Sequence, residues 1–323
     1  MRVLILVQDK QRVNLDNLYS SIAENFDLCE IKRLSSDEQA SLKNYFLRNI
    51  EVSKYDRIVF FLRFKKEIKQ RKFIQSIPNL VILEHDAFQN YTGGKYHGKF
   101  SEHYRLFPWA RIICSSYNVS QKLKNEDFDV HFVSKGHDSG ILYNTHSERD
   151  IYLGFVGSTK NKLYIKRKAI IDKMIKNHSL FATRTNSTDE YRNTLNRIKI
   201  FFSADIGFGE YMIKNFEAMA CGCLLLAYDQ GESENKALGF INMKNVVLYK
   251  NYKDACEKLE FLKNNPDKII NIAAAGQKLV EFTRTNKHIG KQIANALIPP
   301  LRKPVIKKSF LGLKKQISWE EPG

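Results

Sequence analysis

The sequence is poor in the residues and patterns that mark several large classes of protein. Only seven of its 323 residues are proline and 16 are glycine, which excludes a collagen-like or linker-rich chain. No stretch approaches the roughly 18 consecutive apolar residues of a membrane-spanning helix. The apolar start, residues 1–7, has no basic segment before it and no small-residue cleavage site after it. We therefore expect a folded cytoplasmic protein.

Cysteine is also scarce. The five cysteines, at positions 29, 114, 221, 223 and 256, are an odd number and are scattered. This is typical of free thiols in a reducing compartment. Cys221 and Cys223 form a C-x-C pair, but the second pair with histidine that zinc sites require does not follow. We therefore expect no metal site and no cofactor.

Acidic residues are the third shortage. The 35 aspartates and glutamates face 52 lysines and arginines, which leaves a net charge of +17. This excess favours an anionic partner. The basic residues are spread through the whole chain without a zinc-knuckle, RNP or helix-turn-helix pattern, so we expect an anionic membrane surface and no nucleic acid. A basic nucleic-acid-binding α/β protein remains an alternative.

Short apolar runs alternate with amphipathic stretches along most of the chain. Residues 1–7, 55–64 and 80–83 are examples of the runs, and the alternation restarts at Ile151 after a polar stretch. This pattern predicts parallel β-sheets covered by helices. Since single cores stop growing at roughly 250–300 residues, we expect two domains. The predicted fold is α/β, with two Rossmann-like domains, 1–145 and 146–295, that face a cleft.

The last segment, residues 296–323, has a different composition. From residue 302 onward, six basic residues mix with valine, isoleucine, leucine, phenylalanine and Trp319. A cationic helix with an apolar face and a tryptophan is suited to lie on an anionic membrane. The alternative is a tail that packs on the body with its lysines in solvent.

Ligands of open α/β sheets bind at the carboxyl ends of the strands, so we searched those positions for polar and small residues. Gly157 and Ser158 end a predicted strand, where backbone N–H groups can approach a phosphate, and Lys162 and Arg167 follow. The alternative is that these small residues serve packing alone. Further along, a Gly-Phe-Gly loop leads into a helix with Glu217, whose carboxylate can accept two hydrogen bonds from a ribose diol.

In the first domain, Glu84, His85 and Asp86 follow a predicted strand. An imidazole and two carboxylates at such an edge are candidates for a general base or for hydrogen bonds to sugar hydroxyls. The alternative is a Glu-His pair that caps a loop. The next loop, residues 91–105, is rich in Gly, Lys, His and Tyr. Its Lys95, Tyr96 and His97 are candidates for an acceptor site or a lid, the alternative being an ordinary surface loop.

The segment N-F-E-A-M-A-C-G-C-L-L-L-A at 215–227 resembles the signature of the group 1 glycosyltransferases with the GT-B fold, in the branch that reads R-x-F-E-A-x-A-C-G. V-H-F-V-S-K-G-H-D at 130–138 is similar to the segment that closes the N-terminal domain of the family. Y-L-G-F-V-G-S, Y-R-N-T-L-N-R-I-K-I-F-F-S and A-A-A-G-Q-K-L-V-E-F resemble further donor-domain segments in the family's order. The resemblance covers most of residues 110–290.

The resemblance implies a nucleotide-sugar bound mainly by the second domain. Glu217 would hold the ribose, Gly157 and Ser158 the diphosphate, and Lys162 or Arg167 its charge. Gly209, Asn215 and Phe216 complete the implied donor site. In such enzymes positive side chains and helix dipoles stabilise the departing nucleoside diphosphate, so the resemblance implies a reaction without a metal.

The sequence departs from the family's E-G-F-G-x-x-x-x-E pattern. Ile206 stands before Gly207-Phe208-Gly209, and Glu210 is the nearest substitute for the first glutamate. We keep Glu210 as a catalytic candidate beside the histidine and carboxylates of the first domain. Asp86 or Glu84 would be the base of an inverting reaction, and His85 would contact the donor sugar in a retaining one, which we favour.

The function predicted from the sequence is transfer of a sugar from a nucleotide-sugar to a glycan or lipid-linked acceptor. The setting that we expect is the assembly of a bacterial-type surface polysaccharide such as lipopolysaccharide, on the inner face of the cytoplasmic membrane. The missing first glutamate leaves a second alternative, a catalytically degenerate GT-B scaffold.

Overall fold

The computed structural model describes residues 1–10, 15–160, 162–308 and 315–320. The chain packs into two compact units. Unit 1 consists of Met1–Ser115, Val119–Val133 and Gly290–Gly323, and unit 2 consists of Ser116–Asn118 and Ser134–Ile289. Residues 134–145, which the sequence analysis placed in the first domain, pack in unit 2, and residues from 290 onward pack in unit 1.

Unit 1 contains a six-stranded sheet in which every neighbouring pair is parallel. Its strands are β1 (Arg2–Gln8), β2 (Leu28–Leu34), β3 (Arg57–Phe61), β4 (Leu80–Glu84), β5 (Arg111–Cys114) and β6 (Asp129–Phe132). The strand order is β2-β1-β3-β4-β5-β6. Strand β2 lies on one side of β1, and strands β3 to β6 follow on the other side. The apolar residues Val3 to Val7 of β1 are fully buried, which explains the continuous hydrophobic run at the start of the sequence.

Short helices connect these strands. They are α1 (Asp16–Ala23), α2 (Ser36–Ala40), α3 (Leu42–Asn49), α4 (Phe64–Glu67), α5 (Arg71–Ile74), α6 (Lys99–Tyr104) and α7 (Tyr117–Asn125). The start of α2 is defined by a capping box, in which the Ser35 side chain accepts from the Glu38 N–H and the Glu38 carboxylate accepts from the Ser35 N–H.

Unit 2 contains a five-stranded parallel sheet in the order β11-β10-β9-β7-β8. Its strands are β7 (Ile151–Val156), β8 (Phe181–Thr183), β9 (Ile198–Ser203), β10 (Leu224–Tyr228) and β11 (Val247–Tyr249). Its helices are α8 (Ile165–His178), α9 (Thr188–Arg197), α10 (Ile213–Ala220), α11 (Glu232–Leu238), α12 (Tyr252–Asn264) and α13 (Pro266–Thr283), and α14 (Asn286–Leu297) spans the division at residue 290. The predicted α/β fold with two parallel sheets is confirmed.

The prediction of a cationic helix in the tail is wrong for the residues that the structure describes. Two antiparallel strands lie there instead, β12 (Lys303–Lys308) and β13 (Lys315–Glu320). Pro304 and the β-branched Val305 favour an extended chain over a helix. The Trp319 ring lies 5.4 Å from the Trp109 ring of unit 1. The apolar residues Phe310, Leu311 and Leu313 of the predicted helix lie outside the described residues.

No helix in the described ranges has the length and apolar character needed to cross a membrane.

Buried arginines attach the end of the chain to unit 1. Arg111, 1% exposed, donates from Nε to Asp129 Oδ2 at 3.0 Å. Its two Nη atoms donate to the carbonyls of Ala296, Pro299 and Pro300, each at 2.9 Å. Arg57 donates to the Pro299 carbonyl at 2.8 Å. These guanidinium groups satisfy carbonyls beyond the end of α14, where no helical partner is available.

We expect Arg111→Met to lower the free energy of unfolding by about 3–5 kcal/mol, because it leaves the Asp129 carboxylate buried without its cation. Chemical denaturation measures the change. The double variant Arg111→Met with Asp129→Asn should recover part of the loss. The exposed pair Arg197–Asp150 is the matched control, and Arg197→Met should lower the stability much less than Arg111→Met does. An equal effect of the two arginine substitutions would contradict this account.

Candidate functional site

The carboxyl end of β7 in unit 2 is where Gly157 and Lys214 meet. The Gly157 N–H donates to the Thr183 carbonyl at 2.9 Å, so it extends the sheet. A Cβ on Gly157 would lie 2.6 Å from Lys214 Nζ and 2.8 Å from the Phe155 ring. Glycine is therefore needed to let the lysine of α10 reach this edge. Its Nζ donates to the Val156 carbonyl at 2.6 Å and places an ammonium group at the strand end.

The Gly-Phe-Gly loop after β9 is organised by the buried carboxylate of Asp205. Its Oδ2 accepts from the Ser203 hydroxyl at 3.2 Å, the Met212 N–H at 3.1 Å and Asn215 Nδ2 at 2.8 Å. Its Oδ1 accepts from Arg167 Nη2 at 2.5 Å. These bonds connect β9, α8 and the start of α10 through one side chain.

The two loop glycines adopt a backbone conformation that L side chains rarely take. Gly207 has φ +80° and Gly209 has φ +71°. Both lie in the left-handed region, which explains the choice of glycine at these positions. The two glycines therefore allow the chain to turn between Asp205 and the start of α10.

Arg167 holds this loop in place and is not presented to a ligand. It is 7% exposed, and its guanidinium stacks 4.1 Å from the Tyr164 ring centroid and 5.3 Å from that of Phe208. Besides Asp205 it donates to the Ser158 carbonyl at 3.3 Å. The prediction that Arg167 carries the charge of a donor site does not fit this geometry, because its position on the buried side of α8 commits the guanidinium to protein acceptors. Lys162 begins a 3-10 turn (Lys162–Tyr164), and its side chain lies outside the described part of the chain.

Glu217 lies on α10 and is 6% exposed. Its Oε2 accepts a hydrogen bond from the Tyr191 hydroxyl of α9 at 2.6 Å. Burial raises the pKa of the Glu217 carboxyl, while the Tyr191 hydrogen bond and the Lys214 charge act in the opposite direction. The structure thus places Glu217 and Lys214 one helical turn apart on α10, as residues i and i+3.

Two predicted donor residues on α10 have structural contacts instead. Asn215 is fully buried and donates to Asp205 and to the Met212 carbonyl. Phe216 is 1% exposed and packs 6.1 Å from the Phe240 ring. Both side chains are therefore buried in contacts within unit 2.

Glu210, a predicted catalytic residue, forms a buried ion pair with Lys135. The two side chains are 1% and 5% exposed. Glu210 follows the left-handed Gly209 and is directed into unit 2, so it does not reach solvent in this structure. The prediction that it replaces the family's first glutamate at a ligand therefore lacks geometric support.

Glu234 is a titratable residue of this region that the sequence analysis missed. It lies on α11, after the β10 strand end, and is 1% exposed. Its Oε2 accepts from the Asn118 N–H at 2.8 Å and the Ser116 hydroxyl at 3.1 Å. Burial raises the pKa of Glu234 to about 7. The glutamates that follow Gly231 were the available signal, since they stand at a strand-to-helix turn.

Unit 1 has a cavity of about 300 Å³ at the carboxyl ends of β1, β3 and β4. It brings together Glu84, His85, Asp86 and Tyr96, which the sequence analysis had selected. Glu84 accepts from the Asp86 N–H at 2.6 Å and from the Tyr104 hydroxyl at 3.4 Å. The His85 ring packs edge-on against Phe61 at 4.9 Å.

The other two candidates of the predicted lid have contacts of their own, and neither lines this cavity. Lys95 Nζ lies 5.4 Å from the Tyr96 ring centroid, and His97 Nδ1 lies 3.0 Å from the Thr92 carbonyl oxygen. Cavity residues that sequence reasoning missed are Gln8, Phe61, Leu62, Arg63, Phe64, Lys65, Leu83, Gln89 and Phe100. Most of them lie at or just after the ends of β1, β3 and β4, and Phe100 lies on α6. They are ordinary polar or apolar residues, so no local pattern singled them out.

Within the described ranges, no group of three or more His, Cys, Asp or Glu residues is arranged to hold a metal ion. All five cysteines are free thiols.

Comparison with known proteins identifies the fold. Residues 176–295 match the model of a family described as glycosyl transferase-like. No curated protein matches the sequence.

Among solved structures, HepE from Anabaena in complex with UDP-glucose has 13% identity and a TM-score of 0.69, over 92% of this chain and 99% of that one. Sucrose-phosphate synthase from Thermosynechococcus elongatus has 9% identity and a TM-score of 0.66, over 92% and 98%. T4 phage BGT in complex with UDP and Mn²⁺ has 12% identity and a TM-score of 0.59, over 92% and 100%. The chain therefore has the GT-B fold of glycosyltransferases.

We expect Glu234→Gln to change how the stability of the protein depends on pH. Because burial raises the pKa of Glu234 to about 7, this group stabilises the fold fully below its unfolded pKa and loses that contribution as the pH rises through 7. Relative to wild type, the variant should gain roughly 2–3 kcal/mol of unfolding free energy between pH 5 and pH 8. Denaturant unfolding at both values measures it.

Glu232→Gln, an exposed position on the same helix, is the matched control and should show no such trend. Parallel stability curves for wild type and Glu234→Gln would refute the assignment.

Proposed function

We propose that the protein is a glycosyltransferase that moves a sugar from a nucleotide-sugar to a glycan or lipid-linked acceptor. The observation that carries the proposal is the arrangement at the edge of the unit 2 sheet, where Lys214 reaches past Gly157 and Glu217 lies one turn further along α10. Both α10 residues fall inside the segment that matches the glycosyl transferase-like family. The UDP-glucose complex of HepE supports a nucleotide-sugar as the donor.

In this proposal Lys214 binds the diphosphate of the donor. It occupies the arginine position of the R-x-F-E-A-x-A-C-G pattern, so a cation is kept where the family has one. Its ammonium group would neutralise the negative charge that develops on the departing nucleoside diphosphate. We propose a transfer that needs no metal, because this fixed cation can supply the required charge.

Glu217 would accept hydrogen bonds from the ribose hydroxyls. The Tyr191 hydroxyl holds Oε2 at 2.6 Å and so fixes the orientation of the carboxylate before a donor arrives. Burial raises the pKa of Glu217, and the Tyr191 hydrogen bond and the Lys214 charge act against this shift. Both favour the ionised carboxylate, which is the better acceptor. Tyr191 is in this sense a positioning residue of the donor site.

The cavity of unit 1 would bind the acceptor. Glu84 already accepts two hydrogen bonds, so we assign the base of an inverting reaction to the exposed Asp86. In the retaining reaction that we favour, His85 would contact the transferred sugar. The anomeric configuration of the product distinguishes the two routes.

A donor-binding scaffold without transferase activity is the second candidate. The buried ion pair of Glu210 with Lys135 favours it, because the nearest substitute for the missing glutamate is occupied by a lysine. Such a scaffold would bind the nucleotide-sugar and release no sugar to any acceptor.

We expect Lys214→Met and Glu217→Ala to weaken donor binding by roughly tenfold to a hundredfold, since each removes a charge-assisted hydrogen bond. Sugars linked to UDP, GDP, CDP and ADP are screened by the rise in melting temperature that they produce, and then by calorimetry. The exposed Lys199→Met is the matched control and should bind as wild type does. If no nucleotide-sugar stabilises the protein, or if Glu217→Ala transfers sugar normally, the donor assignment is wrong.

We further propose that the protein works on the cytoplasmic face of an anionic membrane, in the assembly of a surface polysaccharide such as lipopolysaccharide. The net charge of +17 supports this, and most of the excess lies outside residues 302–323, which carry six basic and two acidic side chains. Co-sedimentation with liposomes should increase with the content of anionic lipid and decrease with added salt. Binding that ignores anionic lipid content would contradict the proposal.

A further inference from the structure

The cavity of unit 1 has two cations and two carboxylates, Glu84 and Asp86, on its wall. Arg63 follows β3, and Lys65 lies on α4. Among the described residues, neither side chain forms an ion pair with an aspartate or glutamate. Of the other buried or half-buried arginines, Arg111 and Arg167 have a carboxylate within 3.0 Å. Arg57, Arg149 and Arg284 donate to backbone carbonyls instead.

Arg63 is nevertheless held firmly by neutral groups. Its Nε donates to Gln8 Oε1 at 2.8 Å, and its backbone N–H donates to Gln39 Oε1 at 3.1 Å. Gln39 is 1% exposed, and its Nε2 donates to the Leu34 carbonyl at 2.9 Å. Gln70 Nε2 donates in turn to the Gln39 carbonyl at 2.6 Å. Gln8 therefore orients the guanidinium, Gln39 and Gln70 fix the backbone beside it, and none of the three reduces its charge.

The rest of the cavity wall is suited to a sugar ring. Phe64 stacks on Phe100 with ring centroids 3.7 Å apart, and Tyr96 packs edge-on against Phe64 at 5.4 Å. Aromatic faces of this kind contact the apolar face of a sugar, and His85 and Asp86 offer polar groups for its hydroxyls. The volume of about 300 Å³ is at the lower end of small-molecule sites, which favours a single sugar-sized group.

We infer that the acceptor of this protein carries an anionic group, a carboxylate or a phosphate, and that Arg63 is the residue that selects for it. The inference rests on the proposed function. A guanidinium that is fixed but not neutralised in a partly desolvated cavity binds an anion with two parallel hydrogen bonds. A neutral sugar leaves that charge without its counterpart. Lys65, which is exposed, adds a second attractive charge beside it.

The experiment compares three sugars on the full-length protein: methyl glucoside, methyl glucuronide and glucose 6-phosphate. Their affinities are measured by ligand-observed NMR, with and without UDP. We expect at least one of the two anionic sugars to bind about tenfold or more tightly than the neutral one at low salt. Which of them binds better distinguishes a carboxylate from a phosphate.

The variants test whether Arg63 is responsible. Arg63→Gln should abolish the preference for the anionic sugars over methyl glucoside. Arg63→Lys should keep part of the preference, because it retains the charge and loses the planar fork. Arg48→Gln, an exposed arginine of α3 in the same unit, is the matched control and should bind as wild type does.

Equal binding of the neutral and anionic sugars by wild type would overturn the inference, even where a variant fails to fold. So would a preference that survives Arg63→Gln. Stabilisation by UDP-sugars is measured on the same samples and separates the two proposals. If UDP-sugars stabilise the protein but the acceptor preference is absent, this inference fails alone. An Arg63-dependent preference without any donor binding would refute the transferase proposal and keep the anion site.

Discussion

The site in unit 2 depends on one buried carboxylate, that of Asp205. A carboxylate taken out of water must be surrounded by donors, and Asp205 obtains them from Arg167, Ser203, Met212 and Asn215. Satisfying this demand sets the path of the Gly-Phe-Gly loop and the starting point of α10. The positions of Lys214 and Glu217 follow from that starting point. The same bonds explain why Arg167 and Asn215 are occupied with the protein itself.

The fold was predictable because most strands of the two parallel sheets contain a short apolar run between amphipathic segments, and a run that is buried on both faces leaves few alternatives. The edge strands β2 and β8 are partly exposed and lack such a run. Strand ends were also informative, since Glu84, His85, Asp86 and Tyr96 do line one cavity. The sequence did not reveal which side chains of a helix are buried, and the structure shows Arg167, Asn215 and Phe216 in contacts within unit 2. Arg63 and Glu234 were missed because their roles depend on glutamines and backbone groups that are distant in the chain.

Positive charge is held in two different ways in this protein. In unit 2 the buried cations Arg167 and Lys135 are each paired with a carboxylate, so their charges are used internally. In the cavity of unit 1, Arg63 is held by amide groups that fix its direction without reducing its charge. The first arrangement makes a rigid scaffold, and the second leaves binding energy available for a ligand.

The attachment of the last residues to unit 1 has a consequence for how the protein forms during synthesis. Arg111 and Arg57 donate to carbonyls of residues 296–300, which are 185 to 189 residues away from Arg111 and, at Pro299, 242 residues away from Arg57. Because synthesis runs from the N-terminus, these guanidinium groups lack their acceptors until residues 296–300 have left the ribosome. Residues 134–289 of unit 2 have all emerged before that. The C-terminal unit is therefore the first to have its complete set of contacts, and the N-terminal unit closes last.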